Sequence, residues 1–154
     1  MTDPVRQEFE GLWRAEGAKL WRALAAFTGD AEIASDSLSE AFAQGMARRR
    51  EIREPLPWLW RTSFRLALRE VKHRRREHNL TRDEVYEIPE RASDAMKALR
   101  ELPPRQRAAI LLHDYADRPT KEIAGTLGIS AATVRVHLSQ GRRRLRSILE
   151  VHDD

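Results

Sequence analysis

Thr120-Lys-Glu-Ile-Ala-Gly-Thr-Leu-Gly-Ile-Ser-Ala-Ala-Thr-Val-Arg-Val-His-Leu-Ser139 is the stretch that decides the fold. Each residue type in it has a physical task. Ala124 is small where two helices must cross closely. Gly128 permits the left-handed backbone of a tight turn. Ile129 fills the gap between the helices. The Ser130 hydroxyl can accept a backbone N–H from the following turn and so start a helix. Val134 and Leu138, four apart, anchor that helix to a core. The pattern predicts a helix-turn-helix whose second helix keeps one face free, and the DNA major groove is wide enough to take it.

The free face is expected to carry Ala131, Ala132, Thr133, Arg135, Val136, His137, Ser139 and Gln140. Arg135 is the candidate for guanine, since a guanidinium can bond O6 and N7 together. Gln140 suits adenine or a phosphate. Thr133, His137 and Ser139 complete the reading surface. Arg142, Arg143 and Arg144 follow and are placed to grip backbone phosphates. A helical hairpin that only packs would not need this cap, this glycine and these arginines together.

Working outward, the segment before the motif divides at its prolines. Ser93 to Glu101 reads as a helix closed by Pro103-Pro104, and Pro104 can open the next, which carries Ala108, Leu111, Leu112 and Tyr115. Asp117-Arg118-Pro119 breaks it. After the motif, Leu145, Ile148 and Leu149 continue the inner stripe of the last helix. Further upstream, Glu77 to Arg91 is polar, lacks a sustained stripe and reads as a linker.

The N-terminal half shows three more helical stripes. Phe9, Leu12, Trp13, Leu20, Trp21, Leu24 and Phe27 recur at helical spacing. Thr28-Gly29-Asp30 ends that helix and starts a second, with Ala34, Leu38, Ala41, Phe42 and Gly45. Arg48 to Pro57 has two prolines and no period, so it reads as a loop. A third helix is expected from Trp58 to about Arg76. Leu59, Thr62, Ser63, Leu66, Ala67 and Val71 should face inward, and Arg61, Arg65, Arg69 and Lys72 outward. No run alternates with period two and no internal repeat is visible. The expectation is an all-α chain of two small helical domains joined by a linker, with boundaries 5–77, 78–92 and 93–150.

Composition agrees with small helical units. Of 154 residues, 41% are hydrophobic and 34% charged, with no cysteine and a net charge of +4. Disulfides and thiolate metal sites are excluded. Charge alternates along the chain. Acidic residues dominate Met1 to Gly45, eight against four. Basic residues dominate Met46 to Arg82, twelve against four. Acids lead again from Asp83 to Glu101, and bases from Leu102 onward. Two separate basic stretches suit a polyanion, and the acidic stretches suit some other partner. No apolar run reaches the roughly 18 residues of a membrane span. A soluble, cytoplasmic protein without membrane insertion is expected. No phosphate-binding glycine loop or nucleophile–base pair is visible. The spacing of His73, His78, His113, His137 and His152 does not suit a metal. No catalytic residue, metal or cofactor is expected, and the chain is not read as an enzyme.

The whole layout resembles the extracytoplasmic-function (ECF, group four) RNA polymerase sigma factors, over roughly Leu20 to Leu149. Ala98-Leu-Arg-Glu-Leu-Pro-Pro-Arg-Gln-Arg-Ala-Ala-Ile-Leu-Leu112 resembles the entry to that family's fourth region. Glu122-Ile-Ala, Leu127-Gly-Ile-Ser, Thr133-Val-Arg and Arg144-Leu-Arg continue it in register. Phe27-Thr-Gly-Asp30 resembles the first inter-helix turn of the second region. Asp36, Glu40 and Phe42 match its clamp-binding motif, and Trp58-Leu-Trp-Arg61 resembles its Trp-Leu-Tyr-Arg. The resemblance implies that Asp36 and Glu40 meet the polymerase clamp. It also implies that Trp58, Arg61, Arg65, Lys72, Arg74 and Arg75 hold the opened −10 element, and that the helix-turn-helix reads the −35 element. An aromatic beside arginines can stack on unpaired bases while the cations hold the strand. Implied partners are core RNA polymerase, promoter DNA and a separate anti-sigma protein. Ser39 stands where the family usually has Gln, and Arg65 where it often has Asn. Two other readings remain open. One is a helix-turn-helix regulator that acts without the clamp, and the other is a sigma-like decoy for an anti-sigma protein.

Overall fold

The computed structural model describes residues 3–77 and 93–152. The expected linker, 78–92, lies outside the described residues, as do His78 and the side chains of Arg75 and His152. The described residues form helices and turns and no strand.

Helix α1 runs Pro4–Thr28 and α2 runs Ala31–Ala47. Their junction is built by local chemistry. Gly29 takes the left-handed conformation (φ 69°) and its amide donates to the Ala25 carbonyl. The Thr28 hydroxyl donates to the Leu24 carbonyl at 2.8 Å. The Asp30 carboxylate accepts the Glu32 and Ile33 amides at 2.9 and 3.1 Å, which opens α2. Phe9, Leu20, Leu24 and Phe27 of α1 bury against Ala34, Leu38, Ala41 and Phe42 of α2. A Cβ on Gly45 would stand 2.5 Å from Phe9 Cε1 and 3.1 Å from Trp58 Cζ3, so this glycine sets how closely α2 approaches its neighbours. Trp13 leaves the expected stripe. It is 48% exposed and meets Phe42 edge-on at 4.9 Å.

Helix α3 runs Pro55–Glu77. It starts three residues before the expected Trp58, because proline has no N–H to lose in the first turn. The loop ahead of it holds a 3-10 turn, Arg49–Glu51, and is pinned at two points. Ile52 is buried, and Arg49 bonds Glu8 at 2.7 and 3.0 Å and the Ile52 carbonyl at 2.8 Å. The buried face of α3 centres on Leu59, Trp60, Ser63, Phe64, Ala67 and Leu68, while Thr62, Leu66 and Val71 are half-buried. Phe64 and Leu68 were outside the expected stripe.

Helices α4 (Asp94–Arg100) and α5 (Pro104–Ile110) follow, and the last turn of α5 widens into a π turn, Leu111–Tyr115. Ser93 caps α4 by accepting the Met96 amide at 3.2 Å. α6 (Thr120–Leu127) and α7 (Ala131–His152) complete the chain. The two halves pack on one another: α1 meets α4, α5 and the π turn, and α3 meets α6. Arg107 is 6% exposed and lies at this junction. It donates to the Leu99 and Leu102 carbonyls at 2.9 Å and to Phe27 of α1 at 2.6 Å.

Candidate nucleic-acid interface

Helices α6 and α7 meet through the turn expected from sequence. Gly128 has φ 68°, and the Gly128 and Ile129 amides both return to the Ala124 carbonyl. Ser130 Oγ accepts the Thr133 amide at 3.1 Å. Ile123, Leu127, Val134 and Leu138 are buried between the helices and the rest of the core. A Cβ on Gly141 would lie 2.7 Å from Ile110 Cδ1, so α7 crosses α5 closely there.

This packing turns Arg135, Val136, Ser139 and Gln140 outward. Val136 is 50% exposed, an apolar surface beside Arg135 that suits a thymine methyl. The other candidates are partly committed. Thr133 is half-buried and its hydroxyl sits 2.8 Å from Ser130 Oγ. His137 is half-buried with Nδ1 enclosed and without a partner. Gln140 accepts from Gln106 at 3.4 Å. Arg143 and Arg144 are exposed. Arg142 is held by Asp114 at 2.5 and 3.2 Å, beside His113. The Arg142 hydrogen bond, then His113, hold the Asp114 carboxyl below its ordinary pKa, and Asp114 raises that of Arg142. Sequence reasoning missed this pair, because its members lie 28 residues apart.

The second candidate surface is α3. Trp60 is core, 2% exposed, with Arg118 5.9 Å over its ring. Trp58 is half-buried and, with the exposed Arg61, lines a cleft of about 520 Å³. Its other walls are the pinned loop (Arg48, Ile52, Arg53, Glu54) and Lys121, Glu122 and Gly125 of α6. No sequence signal pointed to Lys121. Lys72 is exposed. Arg65 turns to α6, where it donates to the carbonyls of Gly125 and Thr126. Burial there, then the Arg61 charge, lowers its pKa from the ordinary guanidinium value. Arg74 lies against the α1–α2 turn, 2.6 Å from Asp30 and 3.6 Å from Glu70. Burial pushes the Asp30 carboxyl up, but the Ile33 amide, Arg74 and the Glu32 amide outweigh it and leave its pKa lowered.

The third surface is the acidic face of α2. Asp36 and Glu40 are exposed one turn apart and border a shallow groove with Leu66, Glu70 and Arg74. Glu40 accepts from Gln44 at 3.0 Å. Among the described residues, no three His, Asp or Glu side chains converge as a metal would require, and no helix is long and apolar enough to cross a membrane.

Residues 93–145 match the family model of sigma-70 region 4. By sequence, the ECF sigma factor SigE of Mycolicibacterium smegmatis is 37% identical over 46% of this chain and 27% of its own length. The ECF sigma factor SigM of Mycobacterium tuberculosis is 25% identical over 94% of this chain and 78% of its own. The chain's match to SigE thus spans about a quarter of that relative. By fold, the chain matches RpoE, solved with the anti-sigma factor NepR from Bartonella quintana. The TM-score is 0.77 at 20% identity, covering 94% of this chain and 98% of that one. It also matches CnrH, solved with the cytosolic domain of CnrY, with a TM-score of 0.71 at 21% identity, covering 95% and 90%. The resemblance read from the motifs has its counterpart in the region 4 match and in the ECF sigma factors found by sequence, and the fold is that of RpoE and CnrH.

Proposed function

We propose that this chain, whose residues 93–145 match sigma-70 region 4 and whose sequence relatives are ECF sigma factors, is an alternative RNA polymerase sigma factor. In this reading it binds core polymerase in the cytoplasm and directs promoter-specific initiation. Residues 5–77 form the region-two-like domain and 93–150 the region-four-like domain, with 78–92 as linker. Arg135, Ser139 and Gln140 read bases of the −35 element. Arg142 and Arg143 hold phosphates, and Thr133 and His137 shape the same surface. Trp58, Arg61, Arg65, Lys72, Arg74 and Arg75 serve the −10 strand. Asp36 and Glu40 meet a basic surface of the polymerase clamp, for which two outward carboxylates one turn apart are apt. The chain itself does no covalent chemistry. An anti-sigma protein is its regulator, as the partner named for RpoE suggests.

The observation that carries this reading is one chain holding both a region 4 helix-turn-helix and a second helical unit with an exposed acidic pair and an aromatic–arginine helix. A regulator that acts alone needs only the first. Run-off transcription with purified core polymerase and promoter DNA tests it. Specific transcripts are expected, and they should vanish when Asp36 and Glu40 are both changed to Ala. If folded protein gives no transcripts yet binds duplex DNA tightly alone, the chain is a helix-turn-helix regulator. If it binds neither DNA nor polymerase but captures an anti-sigma protein, it is a decoy.

A further inference from the structure

Gln106 is a polar side chain in an apolar place. It lies on α5, is 8% exposed, and sits one turn before the buried Ile110 and against Gly141 of α7. A Cβ at Gly141 would stand 3.4 Å from the Gln106 Cβ and 2.7 Å from Ile110 Cδ1, so the bare backbone at 141 is what lets α7 lie this close to α5. Among the described residues, Gln106 Oε1 is buried and has no hydrogen-bond partner. An unpaired buried acceptor costs stability, and a methionine of nearly the same shape would fill the site without that cost. Packing therefore does not explain this amide.

The other end of the amide has a partner. Gln106 Nε2 donates to Gln140 Oε1 at 3.4 Å. Gln140 is exposed, on the face of α7 that carries Val136 and Ser139. The bond is long, but its direction matters. It turns the Gln140 oxygen back toward α5 and leaves the Gln140 NH2 for the outer surface. An amide that offers both ends pairs with adenine, giving Nε2 to N7 and taking N6 on Oε1. An amide that offers only donors matches a base edge of acceptors, and guanine presents two, N7 and O6.

We propose that Gln106 is a specificity-determining residue of the helix-turn-helix, which holds Gln140 as a donor and turns its reading from adenine toward guanine. Gln106 touches no DNA. It is a positioning residue that acts through Gln140, and its amide is kept at a cost in stability. The inference rests on the reading of α7 as the DNA-reading helix, but its first test needs neither DNA nor polymerase.

A nitrogen–proton correlation spectrum of the labelled full chain resolves side-chain amides. A Gln106 amide proton should be protected from exchange with water and should lose that protection in Gln140→Ala. Both Gln140 amide protons should exchange freely. Protection of a Gln140 amide proton would mean that its nitrogen faces α5, and overturns the proposal. Gln106 protection that survives Gln140→Ala overturns it too.

A second arm reads the specificity. Bound duplexes are selected from a pool randomised over the recognised element, with the full chain alone and with core polymerase. The position at issue is the one whose preference disappears in Gln140→Ala. There the parent should favour guanine over adenine. Gln106→Met frees the Gln140 amide to offer both ends, and should shift the ratio about tenfold toward adenine, the weight of a bidentate pair. Made in the Gln140→Ala background, Gln106→Met should change nothing further, a coupling that a packing defect would not show. Its melting temperature should equal or exceed that of the parent. A parent preference for adenine, an unshifted ratio, a shift that persists without Gln140 or a clear fall in melting temperature each overturns the proposal. Failure of the parent to bind any duplex would count against the reading of α7 and leave the spectrum to decide how the amide is held.

Discussion

Helices α3 and α7 are both long, both rich in arginine and both candidates for DNA, yet they spend their cations differently. On α7, Arg135, Arg143 and Arg144 point to solvent, while Arg142 is engaged by Asp114. On α3, Arg65 is bound to α6 and Arg74 to Asp30, while Arg61 and Lys72 face outward. The difference teaches that a basic helix is not by itself an open polyanion site. In the proposed reading, α7 presents a surface that is ready before DNA arrives, and α3 presents one whose Arg65 and Arg74 already have internal partners. Duplex reading and strand capture should therefore respond differently to the same kind of substitution.

The largest effect is expected at Arg135, where α7 is most open. Arg135→Ala should cost about 1–3 kcal/mol of duplex affinity and relax one base position. Competition binding against a panel of point-changed duplexes measures this. An equal loss on every duplex would make Arg135 a phosphate contact and leave α7 a grip without reading.

Asp30→Ala attacks the opposite side of the comparison. Asp30 caps α2 through two amides and also holds Arg74. Losing the cap should cost about 1–2 kcal/mol of stability, and Asp30→Asn, which can still cap, should cost less. The Asp30 carboxyl is held below its ordinary, unfolded pKa. Its contribution is therefore complete above that value and is lost as pH falls through the depressed folded pKa. Thermal melts between about pH 2 and 6 should show Asp30→Ala with a flatter acid limb than the parent chain. Both variants remove the Asp30 charge that faces Arg74, and strand binding should become more salt-dependent if Arg74 belongs to the DNA face. An unchanged salt slope removes Arg74 from it.

A smaller, broader change is expected from Arg143→Ala with Arg144→Ala. Duplex binding should weaken on all sequences, and the slope of log affinity against log salt should flatten by about 0.9 for each lost phosphate contact. Retention of the full slope would exclude both residues from the backbone grip.

What could be read from sequence follows the same division. The α6–α7 turn was legible because its causes are local: Gly128 is left-handed and Ser130 caps three residues ahead. The junction at Gly29 and Asp30 was legible for the same reason. Of the tryptophan pair on α3, Trp60 is core and Trp58 is half-buried. The inward face of α3 was phased too narrowly. Phe64 and Leu68 are buried because α3 meets α1, α2 and α6 on several sides, and a single amphipathic stripe does not describe such a helix. Arg65 and Arg74 looked like their neighbours because their partners lie 60 and 44 residues away. Chain periodicity carries no information about such partners.

Asp114 offers the finest cut through the comparison, because it gives the open helix one closed arginine. Both side chains of the Asp114–Arg142 pair are more than a third exposed, so water screens the pair and its net worth is about 0.2–1 kcal/mol. Asp114→Asn should therefore barely move the melting temperature at neutral pH. Its effect on stability should vanish in acid, because the parent carboxylate, held low by Arg142, loses its contribution as pH falls through its depressed folded pKa. Duplex affinity should move the other way. The substitution removes a negative charge beside the phosphates and releases Arg142 toward them, so binding should tighten, by no more than about fivefold, with a steeper salt slope. Weaker binding would mean that Asp114 positions Arg142 for its phosphate, in the way an ordered partner holds a guanidinium fork. α7 would then be pre-shaped by its internal pair, where Arg65 and Arg74 of α3 are turned to partners on other elements.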